Sequence, residues 1–370
     1  MAMTAASTGR DDDSVSEREC HKGVKHLYET GIAKLPKMYV LPEPDRPNFS
    51  MAGELLSFKN MNIQLPVIDF SELRGSNRSQ VLKSLANACE YYGCFQLVNH
   101  GISGDVIGNM MDVSKRFFEL CFEEREKYMS SDTYSPVRYG TSLNQSKDAV
   151  FCWRDFLKLM CHPLSDMLPH WPTSPSDFRK LVVAYANENK KLFLMLMEAI
   201  TENLGLMKGD EFDILEELED GSQLMVLNCY PPCPEPDLTF GMPPHSDYGF
   251  LTLLQHDDVT GFQIQFQEKW VTVEPIPNSF VVMVGDHLEI CSNGRYKSVL
   301  HRAIVNSVKP RISVASLHTV PSDSVVRPSP KLVDESNPRR YMDTDFGSFL
   351  KYISSCEPKE KSFLESRKLI

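Results

Sequence analysis

The central stretch of the chain reads Pro243-Pro244-His245-Ser246-Asp247-Tyr248-Gly249, followed at once by the apolar run Phe250–Gln255. An apolar run that directly follows turn-forming residues is typical of a strand that begins after a turn. Similar short runs, rich in Val, Ile, Leu and Phe, recur on both sides of it. They are Gln223–Cys229, Phe250–Gln255, Phe262–Phe266, Trp270–Val273, Phe280–Val284, Val299–Val305 and Ile312–His318. This regular spacing predicts an antiparallel sandwich or jelly roll.

The first half of the chain has a different pattern, because its apolar residues recur at helical spacing. Helices are predicted over Ser79–Gly93, from a cap at Ser103 to about Tyr128, over Ser176–Leu204 and, near the other end of the chain, around Phe346–Ile353. Two short strands are predicted at Leu65–Phe70 and Phe95–Val98. The stretch Met129–Asp148 has no clear period and is rich in Ser, Asp, Asn and Gly, which predicts a loop. Loops of this length often border functional sites.

Composition excludes several classes of function. The 370 residues are 42% hydrophobic and carry a formal charge of -11, which disfavours nucleic-acid binding. The apolar runs are too short to span a bilayer, so we expect no membrane helix. Residues Met1–Glu19 do not resemble a secretory signal and are expected to be a disordered tail. Ten scattered cysteines then indicate a reducing compartment, the cytoplasm, and an acidic monomer is the default expectation.

A histidine and an aspartate stand two residues apart in the central stretch. Side chains two apart on a strand point to the same face, so His245 and Asp247 can share one target while Ser246 points away. The candidate third ligand is His301, in the predicted strand Val299–Val305. Two imidazoles and one carboxylate on one side of a metal leave the opposite positions open, as in non-haem iron(II) oxygenases. The sequence therefore predicts an iron(II) site that has room for a chelating keto acid and dioxygen.

A second group of polar residues strengthens this prediction, since a His-x-Asp pair alone also fits a strand end that meets solvent. Arg311 and Ser313 are again two apart, and a guanidinium with a nearby hydroxyl can hold a carboxylate. Asn228 and Tyr230 form a third such pair, and the Tyr230 hydroxyl could complete the same clamp. We therefore expect these residues to bind the distal carboxylate of 2-oxoglutarate.

Three other histidines are interpreted as hydrogen-bonded structural or surface residues instead of ligands. They are His100, His256 and His318.

Several segments together resemble the plant 2-oxoglutarate-dependent dioxygenase superfamily over roughly residues 60–355. They are Asn228-Cys229-Tyr230-Pro231-Pro232-Cys233-Pro234, His245-Ser246-Asp247, Ser292-Asn293-Gly294, Tyr296-Lys297-Ser298, His301-Arg302, Arg311-Ile312-Ser313, Leu65-Pro66-Val67-Ile68-Asp69 and Gly93-Cys94-Phe95-Gln96-Leu97-Val98-Asn99-His100-Gly101. Within the superfamily, Trp153-Arg154-Asp155-Phe156 and Val314-Ala315-Ser316 most resemble the group that contains salicylate hydroxylases of the downy-mildew-resistance type and flavanone- or flavone-forming enzymes. Cys229 departs from the pattern, because many members have Tyr there.

The resemblance implies a mixed α/β fold with a double-stranded β-helix core, a cupin-like jelly roll, and flanking α-helices. It implies a mainly helical module over 61–205, the iron(II)- and 2-oxoglutarate-binding core over 220–325, and a C-terminal helical extension over 326–370. The resemblance does not explain the N-terminal tail and arm expected over 1–60. The implied ligands are His245, Asp247 and His301 for iron, and Arg311, Ser313 and Tyr230, with Asn228 nearby, for 2-oxoglutarate. By analogy, the substrate-facing candidates are Tyr139, Phe156 and Leu317, for which ordinary core or rim packing is the alternative.

The expected reaction couples oxidative decarboxylation of 2-oxoglutarate by dioxygen to hydroxylation or desaturation of a small apolar or aromatic substrate. A flavonoid, a phenolic acid, a terpenoid hormone or an alkaloid would each suit such a pocket. Two alternatives stay open. A zinc-dependent hydrolase could use the same triad, but Arg311, Ser313 and Tyr230 would then have no common task. A small-ligand-binding protein on the same fold would keep the site without turnover.

Overall fold

The computed structural model of the protein describes residues 15–47, 65–142, 150–206, 209, 213–355 and 362–369. The described residues form twelve strands. These are β1 Val67–Asp69, β2 Cys94–Val98, β3 Val137–Gly140, β4 Asp155–Met160, β5 Gln223–Tyr230, β6 Met242–His245, β7 Leu251–His256, β8 Phe262–Phe266, β9 Lys269–Thr272, β10 Phe280–Val284, β11 His301–Ala303 and β12 Arg311–His318.

Four helices of ten residues or more and several shorter ones accompany the strands. They are α1 Glu17–Cys20, α2 Val24–Glu29, α3 Arg78–Asn87, α4 Gly104–Phe118, α5 Phe122–Arg125, α6 Leu164–Met167, α7 Phe178–Leu204, α8 Ile214–Glu219, α9 Asp286–Cys291, α10 Phe346–Ser355 and α11 Ser362–Arg367. A π-helical turn, Ala88–Tyr92, extends α3. Short 3-10 turns occur at Lys37–Tyr39, Glu43–Asp45, Phe70–Arg74, Glu126–Tyr128, Leu168–His170, Pro236–Leu238 and Pro330–Leu332.

The strands form two sheets. The larger has eight strands in the order β1-β2-β10-β7-β12-β5-β4-β3, and the smaller has four in the order β6-β11-β8-β9. All neighbours are antiparallel except β1 and β2. The fold is mixed α/β with a jelly-roll core, so the predicted fold class is confirmed. Strands before and after α7 belong to the same sheet, since β4 pairs with β5 and β2 with β10.

Alternation along β12 gives the large sheet a helix-facing side and an inner side. Ile312 and Val314 belong to the core cluster that also contains the inward residues of α3, α4 and α7. Arg311 and Ser313 point the other way, because successive side chains in a strand alternate. The inner side packs with residues of the small sheet, such as Ile264. The site therefore forms between the two sheets.

Helix ends follow the sequence signals. Ser103 caps α4 by accepting a hydrogen bond of 3.3 Å from the Val106 N–H. Gly93 and Gly205 adopt the left-handed conformation, with φ of 67° and 73°, directly after the helical segments that they end. The helix expected to continue to Tyr128 instead ends at Phe118, because Cys121 is extended before α5 begins.

Several other boundaries differ from the predictions. The expected loop Met129–Asp148 contains strand β3, and residues 143–148 of that loop lie outside the described part. The apolar runs predict neither β4 nor β6, and the strand assumed for His245 and Asp247 ends at His245. The expected disordered tail Met1–Glu19 is wrong at its end, where Ser16 caps helix α1. Residues 1–14 of that tail lie outside the described residues.

Candidate active site

The two candidate histidine ligands lie side by side on neighbouring strands of the small sheet. His245 is the last residue of β6 and His301 the first of β11, and they are paired in the antiparallel register. Asp247 lies two residues beyond the end of β6, so strand alternation is not what aims it. Its backbone is instead held by the start of α9, where the N–H of the first helical residue, Asp286, donates to the Asp247 carbonyl at 2.8 Å.

The three side chains converge on one point. Nε2 of His245 and Nε2 of His301 each lie 3.8 Å from Oδ1 of Asp247, and one candidate ligand atom from each residue lies within 4.8 Å of the others. Nδ1 of His245 lies 2.8 Å from the Pro243 carbonyl, and Nδ1 of His301 lies 3.2 Å from the Val299 carbonyl. A carbonyl oxygen can only accept a hydrogen bond, so the proton sits on Nδ1 and the Nε2 lone pairs are free for a metal.

The electrostatics keep His245 neutral. Burial is the largest cause that lowers its pKa, to about 3, and the neighbouring His301 lowers it further while Asp247 opposes the shift. A neutral imidazole is the form that binds a metal, because protonation would occupy the lone pair. The residues therefore present a ready donor set at neutral pH.

A polar layer that sequence reasoning missed lies behind the aspartate. Ser246 points away from the triad, as expected, and donates to Asp286 Oδ2 at 3.2 Å. Ser298 donates to Asp286 Oδ1 at 2.7 Å. The buried Asp286 thereby links the Ser246 side of the metal segment to the segment that precedes His301. The sequence pattern does not indicate this role, because Asp286 has no polar residue two positions before or after it.

The residues expected to bind 2-oxoglutarate do meet on the inner face of the large sheet. Arg311 on β12 is directly opposite Tyr230 on β5, and Ser313 is opposite Asn228. The Arg311 guanidinium carbon lies 5.2 Å from the centre of the Tyr230 ring. The Asn228 amide donates to the Ser313 hydroxyl at 3.4 Å. Four residues from two strands thus form one polar patch.

Arg311 is the most informative member of this patch. It is only 2% exposed, yet its Nε and Nη2 have no hydrogen-bond partner in the described structure. A buried guanidinium without an acceptor is costly, and native proteins rarely leave one unpaired. The orphaned donors therefore fit an anionic ligand such as the distal carboxylate of 2-oxoglutarate.

The three substrate-facing candidates are not brought together. Phe156 lies on the inner face, opposite Asn228 in the register of β4 and β5. Leu317 is on the same face of β12 as Arg311 by strand alternation and is half-buried. Tyr139 belongs to the helix-facing core instead and donates to Asp155 at 2.8 Å, as the core-packing alternative describes.

Arg154 lies beside the polar patch, although the two-residue spacing that predicted the patch does not point to it. Its Nη1 donates to Asn228 Oδ1 at 3.1 Å, and its guanidinium carbon lies 5.0 Å from the centre of the Phe156 ring. It precedes β4, a strand that the sequence pattern did not reveal. Arg154 comes near the site because β4 pairs with β5, and the apolar pattern does not predict that pairing.

The other histidines have structural partners. Nε2 of His100 lies 3.0 Å from the Asn278 carbonyl, and Nε2 of His318 lies 3.0 Å from Asn189 Oδ1. His256 pairs with the Asp257 carbonyl, but it also stands opposite Ser313 on the next strand. Burial, followed by the Arg311 charge, lowers the pKa of His256 to about 4. It is thus a neutral neighbour of the polar patch.

No helix among the described residues has the length and apolar character needed to cross a bilayer.

Comparison with known proteins identifies the family. Residues 221–319 match the 2OG-Fe(II) oxygenase superfamily, and residues 65–176 match the non-haem dioxygenase in morphine synthesis N-terminal family. Protein DMR6-LIKE OXYGENASE 1 of Arabidopsis thaliana is 41% identical over 82% of this chain and 84% of its own. Flavanone 3-dioxygenase 2 of Oryza sativa subsp. japonica is 39% identical over 90% of this chain and 93% of its own.

A solved structure agrees over nearly the whole chain. The crystal structure of JOX2 in complex with 2OG, Fe and JA has a TM-score of 0.82 and 32% identity, and the match covers 94% of this chain and 98% of that one. The protein is an oxidoreductase, a dioxygenase that depends on iron(II) and 2-oxoglutarate and takes dioxygen as a co-substrate. Sequence and structure together show that the chain belongs to the 2OG-Fe(II) oxygenase superfamily.

Proposed function

We propose that His245, Asp247 and His301 hold the iron(II) of this dioxygenase. Arg311, supported by Ser313, Tyr230 and Asn228, holds the distal carboxylate of 2-oxoglutarate. The observation that carries the second assignment is the buried Arg311, whose Nε and Nη2 lack any partner in the described residues. The first rests on the two free Nε2 atoms that face one carboxylate.

When bound, iron and 2-oxoglutarate activate dioxygen and supply the oxidising power, with release of carbon dioxide and succinate. The chain's own residues position the two components. Backbone carbonyls fix both histidine rings with Nε2 toward the metal, and the Asp286 N–H fixes the turn that carries Asp247. Arg311 sets the direction of the keto acid by pairing with its far end. These constraints act before substrate arrives and lower the cost of assembling the site.

Phe156 and Leu317 supply apolar surface to the substrate side of the site. A small aromatic or largely apolar substrate fits their chemistry, because a few polar groups and much apolar area characterise ligand pockets. The substrate's own reactivity and its position relative to the metal would select hydroxylation or desaturation.

An anaerobic visible spectrum tests the metal and co-substrate assignments. Purified protein with iron(II) should develop a weak charge-transfer band only when 2-oxoglutarate is added. His245→Ala should lose the band, since one of three ligands is gone. Arg311→Met should keep the band but need about a hundredfold more 2-oxoglutarate, because charged hydrogen bonds are lost.

Two matched variants control for the removal of a buried side chain. His100→Gln removes a buried histidine whose Nε2 meets the Asn278 carbonyl, and Arg302→Met removes a buried arginine whose Nε donates to Gln263. Both should show the band at the parent's 2-oxoglutarate concentration. A parent protein that binds iron(II) but shows no band would refute the co-substrate assignment and reopen the zinc-hydrolase and binding-protein alternatives.

We also propose that the enzyme is a cytoplasmic monomer without a nucleic-acid partner. The nine cysteines among the described residues are all free, which suits a reducing compartment, and the charge of -11 disfavours a polyanion. Its proposed division is an N-terminal tail and arm over 1–60, a mainly helical module over 61–205, the binding core over 220–325 and a C-terminal helical extension over 326–370.

A further inference from the structure

A second buried arginine beside the site has a charge that the proposed chemistry does not use. Arg154 is only 6% exposed, and its Nε has no hydrogen-bond partner in the described structure. Its Nη1 meets only the neutral amide oxygen of Asn228, at 3.1 Å. Among the described residues, no carboxylate forms a salt bridge with it. Burying a cation in this way is costly unless an anion arrives.

Arg154 lies beside the polar patch that is proposed to bind 2-oxoglutarate. The Asn228 amide that accepts from Arg154 also donates to Ser313, so one side chain bridges the two groups. Phe156, opposite Asn228 in the register, places its ring 5.0 Å from the Arg154 guanidinium carbon. The guanidinium carbon of Arg138 lies 5.3 Å from the centre of the same ring. Two cations therefore flank one aromatic side chain beside the site.

The charges of the assigned components already cancel without these cations. The two charges of iron(II) and the one of Arg311 balance the Asp247 carboxylate and the two carboxylates of 2-oxoglutarate. Arg154 is in excess of that balance, and a neutral substrate would leave it buried and unpaired. An anionic group on the substrate would restore the balance and meet the free Nε.

We propose that Arg154 is a specificity-determining residue that binds the carboxylate of an acidic, ring-bearing substrate, whose ring packs near Phe156. This deepens the proposed function and rests on the assignment of Arg311 to 2-oxoglutarate. Arg154 selects an aromatic carboxylic acid over the corresponding neutral ester or amide. The selection comes from two effects, a charged hydrogen bond gained by the acid and a buried charge left unpaired by the neutral analogue.

Matched pairs of ligands test this directly. Anaerobic protein loaded with iron(II) and 2-oxoglutarate is titrated with benzoate, phenylacetate and cinnamate, each beside its methyl ester, by calorimetry and by the change in the charge-transfer band. At least one acid should bind about tenfold or more tightly than its ester. Arg154→Gln, which can still donate to Asn228, should remove that preference, and Arg154→Lys should keep part of it.

Arg302→Gln is the matched control. Arg302 is also buried, donates to the amide oxygen of Gln263 at 2.8 Å and lies over an aromatic ring, with its guanidinium carbon 4.3 Å from the centre of the Trp270 ring. It differs from Arg154 in pointing away from the triad, since it alternates with His301 on β11. This variant should keep the acid preference of the parent.

Three outcomes would overturn the role of Arg154. Esters could bind as well as acids in the parent, no acid of the panel could bind, or the preference could survive in Arg154→Gln. A raised 2-oxoglutarate requirement in Arg154→Gln with the acid preference intact would assign the residue to the co-substrate instead, and also counts against the proposal. Failure of the proposed function is distinguishable, because the parent would then show no band before any acid is added.

Discussion

Gly285 shows how a residue without a side chain can control the metal site. A Cβ atom at this position would overlap the Gly249 carbonyl oxygen and lie 3.0 Å from the Asp247 carbonyl oxygen. The φ of Gly285 is -99°, which any residue adopts, so space and not backbone strain is what requires glycine here. The close approach lets the next residue, Asp286, donate its N–H to the Asp247 carbonyl.

We expect Gly285→Ala to weaken iron(II) binding about tenfold or more without altering a ligand, because the turn that carries Asp247 must move. Iron(II) titration followed by the 2-oxoglutarate charge-transfer band measures this. Gly108→Ala is the control, since nothing lies within 4 Å of its added Cβ and the residue is inside α4. That variant should bind iron normally and gain up to about 1 kcal/mol in free energy of unfolding. Equal iron affinity in both variants would contradict the argument.

At this scale, residue spacing predicted part of the site. Asn228 with Tyr230 and Arg311 with Ser313 are two apart on strands, so alternation predicted their shared faces, which the register of β5 and β12 brings together. Spacing did not predict why Asp247 lies beside His245 and His301, because strand β6 ends at His245. Contacts made by loops, such as those of Asp286, depend on tertiary structure that no local period encodes.

Asp155 shows how residues 15–47, the described part of the N-terminal tail and arm, are attached to the sheet. This fully buried carboxylate accepts from the backbone N–H groups of Val24, at 2.8 Å, and Lys25, at 3.1 Å, where α2 begins. The Tyr139 hydroxyl also donates to it, at 2.8 Å, and the Arg125 guanidinium lies 3.7 Å away. The arm, absent from the superfamily resemblance, is thus held beside the segment that contains Arg154.

We expect Asp155→Asn to detach the arm, because a neutral amide presents an N–H to groups that are themselves donors. The free energy of unfolding should fall by about 3 kcal/mol, as when one member of a buried polar network is lost. Trypsin should also cleave faster near Lys22 and Lys25, which mass spectrometry of the fragments would measure. Tyr39→Phe is the control, since it removes only the hydroxyl that donates to the Cys20 carbonyl. It should cost about 1 kcal/mol and leave cleavage slow. Unchanged cleavage in Asp155→Asn would show that other contacts hold the arm.

Element prediction failed where a strand lacks strand-like composition. Strand β6 contains Pro243 and Pro244, which have no N–H and normally argue against a strand. It is tolerated because β6 is the edge strand of the small sheet and pairs only with β11. The sequence predicts a loop at strand β3, because only four residues, Val137–Gly140, form the strand. The sequence does predict the buried strands β7, β10 and β12, because apolar residues dominate them.

Across the whole molecule, burial of neutral histidines links stability to pH. Burial lowers the pKa of His287 to about 3 and that of His256 to about 4, and it lowers the pKa of His318 well below its ordinary value. In the unfolded chain these groups return to a pKa of about 6.5. Below that pH the unfolded state binds protons that the folded state does not. The free energy of unfolding therefore falls as pH decreases from about 6.5 toward 4, and it is insensitive to these groups above 6.5.

His318 isolates one contribution to this slope. Its ring is fully buried between β12 and α7, stacked 4.3 Å from the centre of the Phe193 ring, with Nε2 3.0 Å from Asn189 Oδ1. Each such histidine contributes up to about 1.4 kcal/mol per pH unit. His318→Gln can still donate to Asn189 but cannot take up a proton in the unfolded state. Urea unfolding at pH 7.0 and at about pH 5 should show a smaller pH effect in this variant by roughly 1 to 2 kcal/mol. His170→Gln, which alters an exposed histidine, should retain the parent's pH effect. A pH effect equal in the parent and in His318→Gln would mean that other groups cause the acid sensitivity.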